Sequence, residues 1–120
     1  MTKTQILSSN IAVITVEVGD KFNEIIHYTY ENRQNWNHLN VLWDVTVLFE
    51  SGESFTEEVY AAIELLADGS DRKGRKTALL VDSDLAFGMA RMFKTLVEKK
   101  LPAEFSIFRS RQEAMSWLHD

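Results

Sequence analysis

Residues 75–118 read RKTALLVDSDLAFGMARMFKTLVEKKLPAEFSIFRSRQEAMSWL, and this stretch decides the fold of the chain. It opens with a short apolar segment at 77–81, bounded by polar residues, which is typical of a buried strand. Asp82-Ser83-Asp84 then supplies side chains that can cap a helix, and an apolar period of three to four residues predicts that helix over 84–100. The first half of the stretch is therefore a strand that leads directly into a helix.

The second half of the stretch repeats this order. Pro102 prevents the helix from continuing, and residues 105–108 form a short apolar strand. Ser110 and Glu113 have the spacing of a capping box, which opens a last helix that we expect Trp117 to anchor against the sheet. Two strands joined through a helix predict parallel pairing.

The residues before this stretch follow the same alternation. The run IAVITVEV at 11–18 is almost continuously apolar and β-branched, which is typical of a strand covered on both faces. Residues 21–36 carry apolar side chains at helical spacing. The remaining predicted elements are strands at 4–7 and 39–48 and a helix opened by the capping box of Ser54 and Glu57.

Strands that alternate with helices predict an α/β domain. We expect one domain over residues 1–120, with a mostly parallel sheet of four to five strands flanked by four helices. The two most apolar strands, 11–18 and 77–81, should lie inside the sheet, whereas the shorter strand at 105–108 should lie at an edge.

The composition restricts the classes of function. The chain has 120 residues, no cysteine and a net charge of −5, which excludes disulfides and thiolate chemistry and disfavours nucleic acid as a partner. No segment approaches the roughly 20 consecutive apolar residues of a transmembrane helix. The first residues lack the apolar run of a signal peptide, so we expect a cytoplasmic protein.

Acidic residues follow the strands at the edge where open parallel sheets bind ligands. One interpretation is a Mg²⁺ site of a phosphoacceptor domain, which needs an acid pair after one strand and a lysine after the last. Here the last strand ends with Arg109, and no acid pair follows 11–18. The other interpretation, helix capping by Asp20, Ser83 and Asp84, accounts for these residues. We therefore expect no metal, cofactor or catalytic residue, and phosphoacceptor signalling is only the third functional hypothesis.

The helix predicted at 84–100 contains a candidate binding surface. Its apolar stripe, assigned to the core, comprises Leu85, Met89, Met92, Phe93, Leu96 and Val97. Phe87 falls on the opposite side, beside Gly88, which costs about 1 kcal/mol against alanine in a helix. Either the domain's own loop covers Phe87 or a partner or apolar ligand approaches there. The candidate surface is Leu48, Phe49, Phe55, Leu85, Phe87, Gly88 and Met89.

Ser51 and Ser54 are candidate phosphorylation sites because they follow a strand at a predicted helix start. A phosphate at this position would meet the helix dipole and free backbone amides. The structural alternative is that Ser54 is an N-cap only.

The stretch TALLVDSDLAFGMARMF, followed by a strand and EAMSWL, resembles the SpoIIAA-like branch of the STAS superfamily. These are small bacterial α/β domains that are also compared with the lipid-binding CRAL-TRIO fold. The resemblance is most specific at 84–92 and at Ala114 with Trp117-Leu118, and VLWDVT is the best match before residue 75. It implies a four- or five-stranded sheet with flanking helices, and a phosphorylatable serine that would fall within 50–54 here.

These observations together predict a non-enzymatic, STAS-like regulatory domain that binds a protein partner or a second copy of itself. The alternative is a carrier or sensor of an apolar small molecule or lipid, held between the sheet and the helices at the carboxyl edge.

Overall fold

The computed structural model describes residues 2–8, 10–17, 19–20, 22–36, 38–46, 74–98 and 104–119. Strands and helices alternate through these residues, as the sequence predicted. In chain order they are β1 (Lys3–Ser8), β2 (Ile11–Thr15), α1 (Phe22–Glu31), α2 (Arg33–Trp36), β3 (Asn40–Asp44), β4 (Lys76–Leu80), α3 (Asp84–Glu98), β5 (Glu104–Phe108) and α4 (Arg111–His119).

The five strands form one sheet in the order β1-β2-β3-β4-β5. Strands β2 to β5 pair in parallel, and β1 pairs antiparallel with β2. The prediction of a mostly parallel α/β sheet is confirmed, as are the inner positions of β2 and β4 and the edge position of β5. The first strand, which the sequence left unplaced, occupies the other edge, with a register irregularity between Ile6 and Ser8.

Side chains of the inner strands alternate between two buried faces, which explains their continuous apolar character. Leu79 joins a cluster that includes Ile25 of α1 and Ala86 of α3. Its neighbour Leu80 joins a second cluster that includes Leu118 of α4. Helices α1 and α3 therefore cover one face of the sheet, and α4 covers the other.

The helix predicted over 21–36 is divided at Asn32, which is a correction to the sequence analysis. The backbone N–H and the side-chain Nδ2 of Asn32 both donate hydrogen bonds to the carbonyl oxygen of Tyr28, at 3.1 and 2.8 Å. After the break, the indole Nε1 of Trp36 donates to the carbonyl oxygen of Thr29 at 3.1 Å. The short α2 thereby folds Trp36 back into the core, where it is buried.

The last helix begins as predicted. The Oγ atom of Ser110 accepts a hydrogen bond of 3.3 Å from the backbone N–H of Glu113, which identifies Ser110 as the N-cap of α4. Ala114 and Leu118 are fully buried against the sheet, whereas Trp117 is half-buried. Leu118 and Trp117 both pack against the same core cluster, and Leu118 is the more deeply buried of the two.

Candidate functional site

The ends of the parallel strands meet at one edge of the sheet, where the sequence predicted an acidic rim. Asp44 ends β3 beside Leu80 of β4, and Leu80 in turn pairs with Phe108 of β5. The residues that follow these strands are thus neighbours in space. They bring together Asp44, Thr46, Asp82, Ser83, Asp84, Arg109, Ser110 and Arg111.

Both carboxylate oxygens of Asp44 contact neighbouring groups. Its Oδ1 accepts hydrogen bonds from the Oγ1 of Thr46 at 2.9 Å and from the backbone N–H of Thr46 at 3.3 Å. Its Oδ2 lies 3.8 Å from a guanidinium nitrogen of Arg111. Asp44 therefore closes the turn after β3 and links it to the first turn of α4.

The turn from β4 into α3 is built by capping, as the sequence predicted. The Oγ of Ser83 accepts a hydrogen bond of 3.0 Å from the backbone N–H of Ala86. Asp84, at the positive end of the helix dipole, accepts a hydrogen bond of 2.6 Å from Arg109 of the neighbouring strand end. Both partners of this ion pair are largely exposed, so it contributes little stability.

A third group of acids lies where β1 meets the turn after β2. The Oδ2 of Asp20 accepts hydrogen bonds of 3.0 Å from the backbone N–H of Glu17 and from the Oγ1 of Thr2. The bond from the Glu17 amide is the main cause that lowers the pKa of Asp20. The Nζ of Lys3 lies 2.8 Å from Glu17, and this pairing lowers the pKa of Glu17 and raises that of Lys3.

The orientation of α3 differs from the predicted one, because Ala86 and Ala90 are the residues that face the sheet. Both alanines are 0% exposed, and Phe87 packs against their cluster. Leu85 and Met92, which the sequence analysis assigned to the core, are 53% and 56% exposed. The small alanine side chains let the helix lie close to the sheet. The prediction assigned the buried side from the large apolar residues and therefore missed these alanines.

Among the described side chains of the predicted stripe, Phe93 packs against the core cluster, as Phe87 does. Phe87 is thus half-buried against the core, where the sequence had left open whether it is covered or exposed. Leu85 remains on the candidate surface, now as an exposed residue, and Met92 joins it.

Gly88 lies on the exposed side of α3 near Leu85 and Met92. Among the described residues, a Cβ atom built on Gly88 would meet no atom within 4 Å beyond its chain neighbours and the backbone of its own helix. Packing within the described part of the chain therefore does not require glycine here. Met89 follows it in the helix, but its side chain lies outside what the structure describes.

Several predicted site residues fall within 47–73, outside the described residues. These are Leu48, Phe49 and Phe55 of the candidate surface and the two candidate phosphorylation sites, Ser51 and Ser54.

A groove that the sequence analysis did not predict lies along the outer side of β5. It has a volume of about 440 Å³ and is lined by Glu98, Glu104, Phe105, Ser106 and Trp117. The walls are mixed in polarity, with two carboxylates and two aromatic rings. Nearby, the Nζ of Lys76 donates a hydrogen bond of 3.0 Å to the carbonyl oxygen of Trp117 and lies 5.1 Å from the centre of its ring.

The described residues contain no cluster of three or more histidine, cysteine or acidic side chains that could hold a metal ion. Within the same part of the chain, no helix is long and apolar enough to cross a membrane. In comparisons with known proteins, no family model, curated protein or solved structure matches the chain.

Proposed function

We propose that this domain is a non-enzymatic regulatory module that binds a protein partner, either a different protein or a second copy of itself, through the exposed side of α3. The observation that carries this proposal is the exposure of Leu85 and Met92. They are seven residues apart, so their side chains leave the helix in nearly the same direction two turns apart. Together with Gly88 they form a surface that we term the α3 stripe.

A single exposed leucine is common on protein surfaces and needs no special reason. The α3 stripe differs because two large apolar side chains flank a glycine whose Cβ position is open. This arrangement leaves the helix backbone accessible between two apolar contacts. Such a surface suits a partner that packs closely against the helix and buries both side chains.

The contacts of the rim support binding rather than catalysis. Asp20, Asp44 and Asp84 each hold a neighbouring backbone amide, hydroxyl or guanidinium. These contacts close turns and connect the ends of adjacent elements. These three carboxylates therefore contribute to the structure of the turns at this edge of the sheet.

The proposal is tested by placing a photo-cross-linking amino acid at position 92 of the full chain in cells. The matched control carries the same group at Ser116, an exposed position on α4 that is outside the α3 stripe. We expect a protein adduct from position 92 that is lost with Leu85→Asp, and no comparable adduct from position 116. Equal adducts from both positions, or none from position 92, would contradict the proposal.

The apolar-carrier hypothesis gives a different result in a second measurement on the same variants. Native mass spectrometry of the purified protein would then show a bound lipid or other small molecule. That result, without a protein adduct at position 92, would replace the protein-interaction proposal with a carrier function.

A further inference from the structure

We infer that the partner at the α3 stripe is a second copy of this chain, packed so that the two α3 helices run antiparallel and cross at Gly88. This inference rests on the proposed function, because it names the partner for the same surface. It follows from the arrangement of four side chains around Gly88: Leu85 and Met92 on one side, and Asp84 and Arg91 on the other.

These side chains form two parallel rows on the helix. Leu85 and Met92 are seven residues apart and make an apolar row, and Asp84 and Arg91, also seven apart, make a charged row. All four are exposed, and Gly88 lies between the rows. Asp84 already pairs with Arg109 of its own chain at 2.6 Å, and its exposed carboxylate would share that contact with Arg91 of the second copy. The patch therefore has an apolar side and a charged side, with the least bulky residue at its centre.

A two-fold axis that passes perpendicular to both helices at Gly88 matches this patch to itself. It places the apolar row of one copy on the apolar row of the other, in reverse order, so that Leu85 faces Met92. Along the helix, Leu85 lies about 4.5 Å from Gly88 and Met92 about 6 Å, so the facing pair is level within about 1.5 Å.

The same operation brings opposite charges together. Asp84 lies about 6 Å from Gly88 along the helix and Arg91 about 4.5 Å, so each aspartate faces the arginine of the other copy. In a parallel pair related by a two-fold axis along the helices, the apolar row would instead face the charged row. Charge and apolar complementarity thus both favour the antiparallel pair.

Because Gly88 has no side chain, the two helix backbones can approach each other closely at the crossing point. Helices that meet at glycine can bring their backbones nearer than the usual interaxial distance of about 8–10 Å. Since nothing in the described chain occupies the Cβ position, the space is available to the second helix. The contact is a small one, so we expect a dimer that dissociates within the range of about 10 µM to 1 mM.

Single cysteines test this geometry because the natural chain has none. Leu85→Cys and Met92→Cys are prepared separately, one of them isotope-labelled, and are mixed before oxidation. The antiparallel pair places the two different cysteines level, whereas Leu85 and its own copy are about 9 Å apart along the helix, beyond disulfide reach. Ser116→Cys, exposed on α4, is the control for random oxidation.

We expect intact mass spectrometry to show mostly the mixed disulfide, and sedimentation equilibrium to show a reversible dimer of the natural protein. Arg91→Glu should weaken this dimer at least about tenfold, because it would set a carboxylate against Asp84 of the other copy. Mostly like-with-like disulfides, or a monomer throughout the concentration range, would overturn the inference.

The outcome also separates this inference from the proposed function. A monomer that still gives a specific adduct with a different protein from position 92 would overturn the dimer and leave the interaction module standing. A monomer without any such adduct would remove both.

Discussion

The side-chain amide of Asn40 donates a hydrogen bond of 2.8 Å to the carbonyl oxygen of Leu118. The other atom of the same amide, Oδ1, accepts a hydrogen bond of 3.0 Å from the backbone N–H of Lys76. One side chain thus connects the first residue of β3 to the start of β4 and to the last turn of α4. This connection fixes the end of α4 over the two inner strands.

We predict that Asn40→Ala lowers the free energy of unfolding by about 1–3 kcal/mol, because it removes both hydrogen bonds at a half-buried position. Asn40→Asp is the matched variant. It keeps an acceptor for the Lys76 amide but places a carboxylate against the Leu118 carbonyl. Urea denaturation followed by circular dichroism measures both, and a stability change below about 0.5 kcal/mol for Asn40→Ala would contradict the prediction.

The strands could be predicted from the sequence because their signals are local. The run at 11–14 is apolar at every position, since alternate residues enter opposite cores, and this pattern is typical of a strand buried on both faces. The pairing of β1 could not be predicted in this way. Its residues are largely exposed at one edge, so no burial pattern specifies a neighbour.

Helix α3 shows which features of a helix could be predicted from the sequence and which could not. Its position and its cap at Ser83 follow from residue types at fixed spacing. The buried side was assigned from the largest apolar residues. In the structure, Ala86 and Ala90 face the sheet, and their small side chains let the helix approach it closely. The spacing of these two alanines was a usable signal, but Leu85 and Met92 carry more hydrophobicity and dominated the periodicity.

The corrected orientation of α3 gives a direct comparison between two substitutions. Phe87→Asp should cost about 2–4 kcal/mol, because a carboxylate would replace an aromatic ring that packs against the core cluster. Leu85→Asp should change stability by less than about 1 kcal/mol, since that side chain is mostly in water. Chemical denaturation of the two variants under one set of conditions measures the difference, and the reverse order would restore the orientation predicted from the sequence.

Helix α4 gives a similar comparison between adjacent residues. Leu118→Ala should cost about 2–5 kcal/mol, because Leu118 is fully buried and its truncation leaves a cavity. Trp117→Ala should cost less, about 1–2 kcal/mol, since the half-buried indole loses mainly its contact with Phe108, at 5.6 Å between ring centres, and with Lys76. Thermal unfolding followed by circular dichroism ranks the variants. A larger loss for Trp117→Ala would show that the indole, not Leu118, anchors the helix.

We predict that Asp20 makes the free energy of unfolding depend on pH. Its pKa is lowered in the folded protein, chiefly by the hydrogen bond from the Glu17 amide. A lowered folded-state pKa contributes stability that is present above the unfolded value, about 3.9, and is lost as the pH falls through the lower folded-state pKa. Asp20→Asn should therefore be less stable than the natural protein at neutral pH, and this difference should shrink below about pH 4. Denaturation midpoints across this pH range measure it, and a difference that does not change with pH would show that the charge of Asp20 is irrelevant.

Gly88→Ala should affect the stability of the monomer and its self-association in opposite directions. In a helix, alanine is favoured over glycine by about 1 kcal/mol. The added Cβ would meet no atom within 4 Å in the part of the chain that the structure describes, its own helix backbone apart. We therefore predict that the monomer becomes more stable by about 0.5–1 kcal/mol, measured by denaturation at a concentration well below dimer formation. The same methyl group would stand where the second α3 helix approaches, so self-association measured by sedimentation should weaken.

The control for this change is Ser116→Ala, at an exposed position on α4, which alters helix propensity alone and should leave self-association unchanged. A Gly88→Ala protein that gains no stability would mean that something within the chain already occupies the space beside Gly88. A Gly88→Ala protein that gains stability and still associates as strongly as the natural protein would show that the contact does not cross at Gly88. A close helix crossing cannot accept the added methyl group without separating the two backbones.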